Sequence, residues 1–254
     1  MRIEAVTVCV NHADFLAETA PLNMTSLERL IVVTTPEDEE TREVCRKHSL
    51  EVILTNDCFK DGTGFAKGYM VEAGMRQLST DCWHLHLDSD IVLPGHTKML
   101  LSMAQLNTQK LYGADRLLCR NYDHWQQLKN SGWLNSFPDY QCRIHPPEGF
   151  SLGTRFAGVN FGYVPIGYFQ LAHSDSIEHN GFRQRGYPRK HGNAARTDVM
   201  YATKWDRNLR ELLGELLVVH LESEPAPMGT NWDGRKTKKF GPQTIKFTTK
   251  STPS

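Results

Sequence analysis

Two carboxylates one residue apart, Asp88 and Asp90, directly follow the apolar run Trp83-His84-Leu85-His86-Leu87. Carboxylates so spaced at a strand end can meet one divalent cation together. Hard oxygen ligands suit Mg²⁺ or Mn²⁺, and a diphosphate can complete the shell. A cation held there neutralises charge building on a leaving diphosphate. The same Asp-Ser-Asp tripeptide also fits a plain solvated turn, so the surrounding elements have to decide between the two.

Those elements alternate. Val6-Thr7-Val8-Cys9-Val10, Leu30-Ile31-Val32-Val33-Thr34, Glu51-Val52-Ile53-Leu54-Thr55 and Trp83 to Leu87 read as strands. Between them, Thr35-Pro36-Glu37-Asp38-Glu39-Glu40 reads as a helix start, with Thr35 as cap and Pro36 at the first position, running to about His48. A further helix is expected from near Phe65 to Leu78, and another after Pro94-Gly95, ending near Asn107. Strand-helix alternation predicts an α/β fold with a mostly parallel central sheet flanked by helices, in which ligands bind beyond the carboxyl ends of the strands. Asn11, Thr34-Thr35, Asn56-Asp57 and Asp88-Asp90 all fall at those ends. The second half is less regular. Ala157 to Phe169 is rich in Gly and aromatics, and Gly181 to Gly192 reads as a basic loop. Leu209, Leu212, Leu213, Leu216 and Leu217 stand at helical spacing and predict core-facing helix within Ala194 to Leu217. Val218-Val219-His220-Leu221 reads as a short strand.

Composition narrows the classes. With 39% hydrophobic residues, 23% charged residues and no low-complexity tract, the 254 residues suit a packed domain rather than a disordered chain. Formal net charge is zero, so any pull toward nucleic acid or acidic membrane must be local. The first apolar run ends by Asn11-His12, too short for a signal-peptide core. No stretch approaches the roughly 20 apolar residues that span a bilayer. Six cysteines without a C-x-x-C pair are expected to be reduced thiols in a cytoplasmic setting. Gly62-Thr63-Gly64 lacks the spacing of a dinucleotide fingerprint. Val6 to His12 has no Gly-rich phosphate loop, which weighs against a nucleotidyltransferase.

Phe65-Ala66-Lys67-Gly68-Tyr69-Met70-Val71-Glu72-Ala73-Gly74, followed by His84 to Pro94, resembles the core of GT-A glycosyltransferases of the family-2-like, DxD-containing kind. Ile166 to Leu171 and Asn231-Trp232-Asp233-Gly234-Arg235 resemble further segments of that family, so the likeness covers roughly residues 3 to 240. It implies a GT-A catalytic domain over 1–221 and a donor-covering segment with a basic tail over 222–254. It implies metal ligation by Asp90, Asp88 bridging metal and donor ribose, and His220 completing the shell of Mn²⁺ or Mg²⁺. It implies nucleobase contacts near Val10, Asn11 and Thr34, and Lys67 at a helix start facing the donor. Trp232, Arg235 and Lys236 would fold over a nucleotide sugar, UDP-linked by family habit. Asp198 would deprotonate the acceptor hydroxyl in an inverting transfer. Glu72 departs from the family, which often carries Asn there.

The acceptor is open at this level. Basic clusters at Arg183, Arg185, Arg189 and Lys190 and at Arg235 to Lys250 raise a hydroxymethylated DNA base as one acceptor. They raise a non-catalytic nucleotide-sugar or nucleic-acid binding module as the rival reading.

Overall fold

Runs of Val, Ile and Leu bounded by polar residues form the strands of one large sheet, with the intervening helices on its faces. The structure, a computed structural model, describes residues 1–60, 65–136, 139, 145–179, 182–189, 194–222 and 239–241. In chain order the elements are β1 (Ile3–Val8), α1 (Ala13–Asn23), β2 (Arg29–Thr34), α2 (Glu39–Lys47), β3 (Glu51–Leu54), α3 (Lys67–Met75), β4 (Trp83–Leu87), β5 (Ile91–Val92), α4 (Thr97–Met103), β6 (Leu111–Cys119) and α5 (Tyr122–Asn130). They continue with β7 (Ser151–Leu152), β8 (Ala157–Gly158), β9 (Gly162–Tyr163), β10 (Phe169–His173), α6 (Ser174–Ile177), β11 (Glu178–His179), β12 (Phe182–Arg183), α7 (Ala194–Ala202) and β13 (Arg210–Leu221).

The sheet order is β3-β2-β1-β4-β10-β6-β13-β5, with β7 beside β6. Strands β1, β2, β3, β4, β6 and β13 run one way, while β5, β7 and β10 run the other. The antiparallel β10 lies between β4 and β6 and joins the two parallel groups. Both faces are covered. Ile3, Ala5, Leu30, Val32, Leu85 and Leu87 pack with Leu16, Ala20 and Cys45 of α1 and α2. Val6, Val8, Ile31 and Val33 pack with Met70, Val71 and Met75 of α3 and with Tyr201 and Ala202 of α7. Strand alternation then puts His84 and His86 on the α3 face, opposite Trp83, Leu85 and Leu87.

Several expectations need correction. Helix α2 is capped by Asp38, whose side chain accepts from the Thr41 amide, and not by Thr35. Residues 35–38 instead form a turn closed by the Asp38 amide on the Thr35 carbonyl at 3.2 Å. The Asp38 carboxylate also accepts from the Thr34 hydroxyl and the Asn11 amide, so one side chain caps the helix and ties two strand ends together. The leucines from 212 to 217 are not helical, and Leu209 closes a single 3-10 turn, Arg207–Leu209, before β13. Helix α7 ends at Ala202, and β13 takes up residues 210–221 with a register shift between Leu213 and Leu217. Gly214 and Glu215 bulge outward there, which resets the alternation so that Leu213, Leu216 and Leu217 are all buried. The bulge, not a helical period, produces that spacing. Helix α3 and the helix after Gly95 are shorter than expected, ending at Met75 and Met103. The strands β6 and β10 lie outside the expected set, and both carry buried polar residues, Asp115 and Arg116 in β6 and Gln170 and His173 in β10, that interrupt an apolar run.

Cys9, Cys45, Cys58, Cys82 and Cys119 are buried free thiols, and Cys142 lies outside the described residues. Among the described residues no helix is long and apolar enough to cross a membrane.

Helix α3 is pressed close to the loop that follows β12. A Cβ on Gly68 would stand 1.7 Å from the Pro188 carbonyl oxygen and 2.9 Å from a Thr197 methyl. Gly68→Ala must therefore push that loop and α7 outward. We expect it to lower the unfolding free energy by about 3 kcal/mol in a denaturant titration, against the few tenths expected at an open helical site.

Candidate active site

Lys67 is the first residue of α3, and its side chain is 2% exposed. A buried ammonium must be paired. Its Nζ donates to Asp88 Oδ1 at 2.5 Å and lies 3.4 and 3.5 Å from the two Asp198 oxygens. Asp88 arrives by strand alternation, two residues beyond His86 on the α3 face of the sheet. Asp198 comes from the middle of α7 and is buried. Gly167 admits it, because a Cβ there would lie 2.0 Å from Asp198 Oδ2.

The shared ammonium acts differently on its two partners. Burial works against charge on Asp88, but Lys67 outweighs it and holds this carboxyl below its usual range. Asp198 is more enclosed, its side chain being 7% exposed against 30% for Asp88. Burial there outweighs Lys67 and raises the Asp198 pKa to about 6, with the Asp88 charge adding to the rise. Burial also opposes the charge on Lys67, yet the Asp198 and Asp88 carboxylates together lift its pKa above the ordinary lysine value. His86 is fully buried, and burial with the Lys67 charge lowers its pKa to about 3, so it is neutral.

Behind Asp198 lies a closed polar cluster. The Tyr187 hydroxyl donates to Asp198 Oδ1. The same hydroxyl oxygen is 3.2 Å from both His86 Nδ1 and Gln170 Oε1. Gln170 Nε2 donates to the Asp198 carbonyl at 3.0 Å and to the Pro165 carbonyl at 2.9 Å. With the phenol proton on Asp198, His86 Nδ1 supplies the proton that Gln170 Oε1 accepts at 3.1 Å.

The acidic turn is clamped from both sides. Thr19 of α1 donates to the Ser89 carbonyl at 2.9 Å. Asn23 donates to the Ile91 carbonyl and accepts from the Leu93 amide, at 2.8 and 2.7 Å. On the other side the Leu221 amide donates to the Asp90 carbonyl at 2.9 Å. The β5–β13 pairing sets His220 opposite Ile91 and brings its Nε2 to 3.4 Å from Asp90 Oδ2. Glu222 Oε1 lies 3.7 Å from His220 Nδ1. Asp90 Oδ1 is buried with no hydrogen-bond partner. An orphaned carboxylate oxygen beside an imidazole fits a divalent cation taking Asp90 and His220, with Asp88 next to them. No three His, Cys, Asp or Glu side chains among the described residues form a complete metal cage, so the remaining ligands would come from phosphate and water.

The other expected contacts divide. Thr34 ends β2, and its hydroxyl donates to Asp38 Oδ2 at 3.3 Å. Asn11 follows β1 at φ 58°, a conformation asparagine tolerates, and its amide donates to the same oxygen at 2.7 Å. Val10 is buried, with its carbonyl bonded to His12 Nδ1 at 2.7 Å. Asp38 is thus the organiser of this end of the edge, a role that the reading of 35–40 as a generic acidic helix start passed over. Lys67 does sit at a helix start, but its ammonium is engaged by Asp88 and Asp198 instead of standing free for a phosphate. Trp232, Arg235 and Lys236 lie outside the described residues, as does nearly all of the 222–254 segment. In the basic loop, Lys190 also lies outside them. Arg185 donates to the Ser176 and Lys204 carbonyls and covers the Trp205 ring, and Arg189 lies 3.5 Å from Glu72. Arg185 is thus engaged by the protein's own carbonyls, while Arg189 is 46% exposed beside Glu72. Glu72 is marked in the sequence only by its departure from the family's Asn. Tyr187 stands in an irregular stretch with no periodicity to mark it.

No protein-family model matches the chain, and no curated protein matches it. Among solved structures it is similar to glucosyl-3-phosphoglycerate synthase from Mycobacterium tuberculosis in complex with phosphoglyceric acid, at 14% identity over 45% of this chain and 44% of that one, with a TM-score of 0.32. The same enzyme in complex with Mn²⁺, UDP and glucosyl-3-phosphoglycerate matches at 11% identity over 89% of this chain and 73% of that one, with a TM-score of 0.47. Mannosyl-3-phosphoglycerate synthase from Rubrobacter xylanophilus matches at 21% identity over 48% and 42%, with a TM-score of 0.36. In the first and third of these the chain spans less than half of the neighbour's length.

The buried ion triad makes a stability prediction independent of activity. Lys67→Met leaves Asp88 and Asp198 without their cation. We expect a loss of about 3 kcal/mol in urea unfolding at neutral pH, the low end of the range for a broken buried pair because Asp88 is partly exposed. Adding Asp198→Asn to Lys67→Met should recover part of it, since an uncompensated buried charge is then removed.

Proposed function

We propose that this chain is a metal-dependent glycosyltransferase of the GT-A type, moving a sugar from a nucleoside-diphosphate sugar to an acceptor hydroxyl with inversion. The observation that carries the reading is the pairing of two unlike carboxylates at one strand edge. Asp88 is held ionised beside Asp90 and His220, while Asp198 is buried with its pKa raised to about 6. Separate environments for two acids are how a site divides electrostatic from proton-transfer work.

In the proposed reaction the donor diphosphate lies against Asp88, Asp90 and His220. When bound there, Mn²⁺ or Mg²⁺ supplies charge neutralisation for the leaving diphosphate. The acceptor oxygen forms a bond to the anomeric carbon as the carbon–oxygen bond to the diphosphate breaks. Asp198 takes the hydroxyl proton. Asn11 and Thr34, set by Asp38, are proposed to line the nucleobase end, with Val10 packed beneath them. Uridine is the proposed base, on the resemblance read in residues 65–94. Trp232, Arg235 and Lys236 are proposed to cover the donor. The acceptor enters only as a hydroxyl.

Nucleotide sugars with and without Mn²⁺ in a thermal-shift panel test the donor site. One donor should raise Tm only with metal, and Asp90→Ala should abolish that rise; a rise that survives the substitution would remove Asp90 from the site. Asp198→Asn should leave the donor's shift intact while turnover falls by about 10²–10⁴-fold. The pH dependence has a definite sign. Proton acceptance needs ionised Asp198, and its pKa is raised to about 6 in the free protein, so kcat/KM should be full above that pH and decline as pH falls through it. A rate flat down to pH 4.5 would exclude Asp198 as the base.

A further inference from the structure

The transfer just proposed gives Tyr187 no task, yet this residue is held in the site by its ring, its hydroxyl and its backbone amide. It is 3% exposed. Its ring stacks on Tyr201 at 4.4 Å between centroids and meets His86 edge-on at 5.1 Å. Held between these rings, the phenol cannot swing away from Asp198 Oδ1, to which it donates. Its backbone is held too. The Tyr187 amide donates to Glu72 Oε2 at 2.6 Å, and Glu72 is buried and also bonded to Arg76 at 2.9 Å. Glu72 is the residue that stands where the resemblance favours Asn. A Cβ on Gly186 would come within 3.2 Å of Glu72 Oε1, so the chain passes close over that carboxylate.

We infer that Tyr187 is a positioning residue for Asp198, and that Glu72 fixes Tyr187 for this purpose. The phenol occupies Asp198 Oδ1 and leaves Oδ2 to receive the acceptor proton. This rests on the transferase reading in assigning that proton to Asp198; the contact itself does not depend on it. One helix thereby sets the carboxylate twice, with Lys67 at its start acting directly and Glu72 a turn later acting through Tyr187. Burial and the Asp198 charge hold the Tyr187 pKa well above the usual value, so the phenol stays a donor at any working pH. The charged and titratable groups facing Asp198 are Lys67 from α3, His86 and Asp88 from β4 and its end, and Tyr187 from the loop after β12, with Tyr201 of α7 behind Tyr187.

The test follows the ¹³Cγ shift of Asp198 against pH, assigned with Asp198→Asn, in the wild type and in Tyr187→Phe. Phenylalanine keeps the ring contacts and removes the donor. Loss of a hydrogen bond to the charged form should raise the Asp198 midpoint by about one pH unit. UDP release from UDP-glucose with Mn²⁺, or from whichever nucleotide sugar raises Tm most, should show kcat reduced about 10-fold in this variant with the donor KM unchanged. Glu72→Gln keeps an oxygen for the Tyr187 amide and should stay close to wild type, while Glu72→Leu should follow Tyr187→Phe. In the Asp198→Asn background, Tyr187→Phe should cost nothing further. A midpoint that does not move, or a change confined to KM, overturns the inference. A wild type that turns over no nucleotide sugar overturns the transferase reading instead, and the titration still decides whether Tyr187 holds Asp198.

Discussion

A lysine ammonium buried to 2% exposure cannot stand alone, and much of this architecture follows from how Lys67 is paired. Its partners come from distant parts of the chain, Asp88 from the end of β4 and Asp198 from α7, with 131 residues separating Lys67 from Asp198. Bringing both onto one nitrogen forces α3, α7 and the end of β4 to a common point. The close approaches follow from this. Gly68 lets the loop after β12 lie on α3, and Gly167 lets the segment before β10 lie on the Asp198 carboxylate. The ion triad is also a structural tie between the regular parallel half of the sheet and the irregular second half, beside the antiparallel strand β10, the β5–β13 pairing and the Tyr187–Glu72 bond.

The acidic turn is held by a second, independent set of contacts. Side chains of α1 bond the Ser89 and Ile91 carbonyls, and the end of β13 bonds the Asp90 carbonyl. The turn is therefore fixed by backbone bonds while its carboxylates keep acceptor capacity. Asp90 Oδ1 is the clearest instance, being buried yet unpaired in a protein that satisfies most of its buried polar groups. An oxygen left so costs free energy in the unliganded protein, a cost that a cation would relieve at the proposed donor site. A geometry set by backbone bonds need not reorganise when that ligand arrives.

What the sequence made legible is the part governed by local, periodic signals. The strands at 3–8, 29–34, 51–54 and 83–87, the placement of Asp88 at a strand end and the convergence of Asn11 and Thr34 on the same edge follow from alternation and β-branched runs. The resemblance at residues 65–94 directed attention to Asp198 and His220, and the fold brings each to within 3.5 Å of a group at the acidic turn or on α3. The failures have physical causes. Leucines at 212–217 mimic a helix because a bulge at Gly214-Glu215 breaks the period of two, and a bulge is a tertiary accommodation to β6. Strand β6 carries Asp115 and Arg116, whose partners lie across loops, so its polar residues masked a strand buried at the centre of the sheet. Asp38 reaches Asn11, and Tyr187 reaches His86 and Asp198, across segments, and no spacing within their own segments records those contacts.

The division of labour between Asp88 and Asp198 shows why such contacts matter more than residue type. Both are aspartates, and both touch one ammonium. The more exposed of the two is pulled below the usual carboxylate range, and the more enclosed is pushed to about 6. Lys67 alone would lower both. The difference comes from what surrounds each acid: solvent on one side of Asp88, and burial behind Gly167 and Gln170 around Asp198, which the hydrogen bond from the Tyr187 phenol offsets only in part. A second charge at Asp88 then acts against ionisation of Asp198, so the two sites are coupled through the same nitrogen. Any cation that neutralises Asp88 weakens that repulsion and favours the ionised form of Asp198. In the proposed transfer, this coupling would ready the base when the metal and the diphosphate are in place. The order of events would then be written into the electrostatics of three side chains rather than into a moving part.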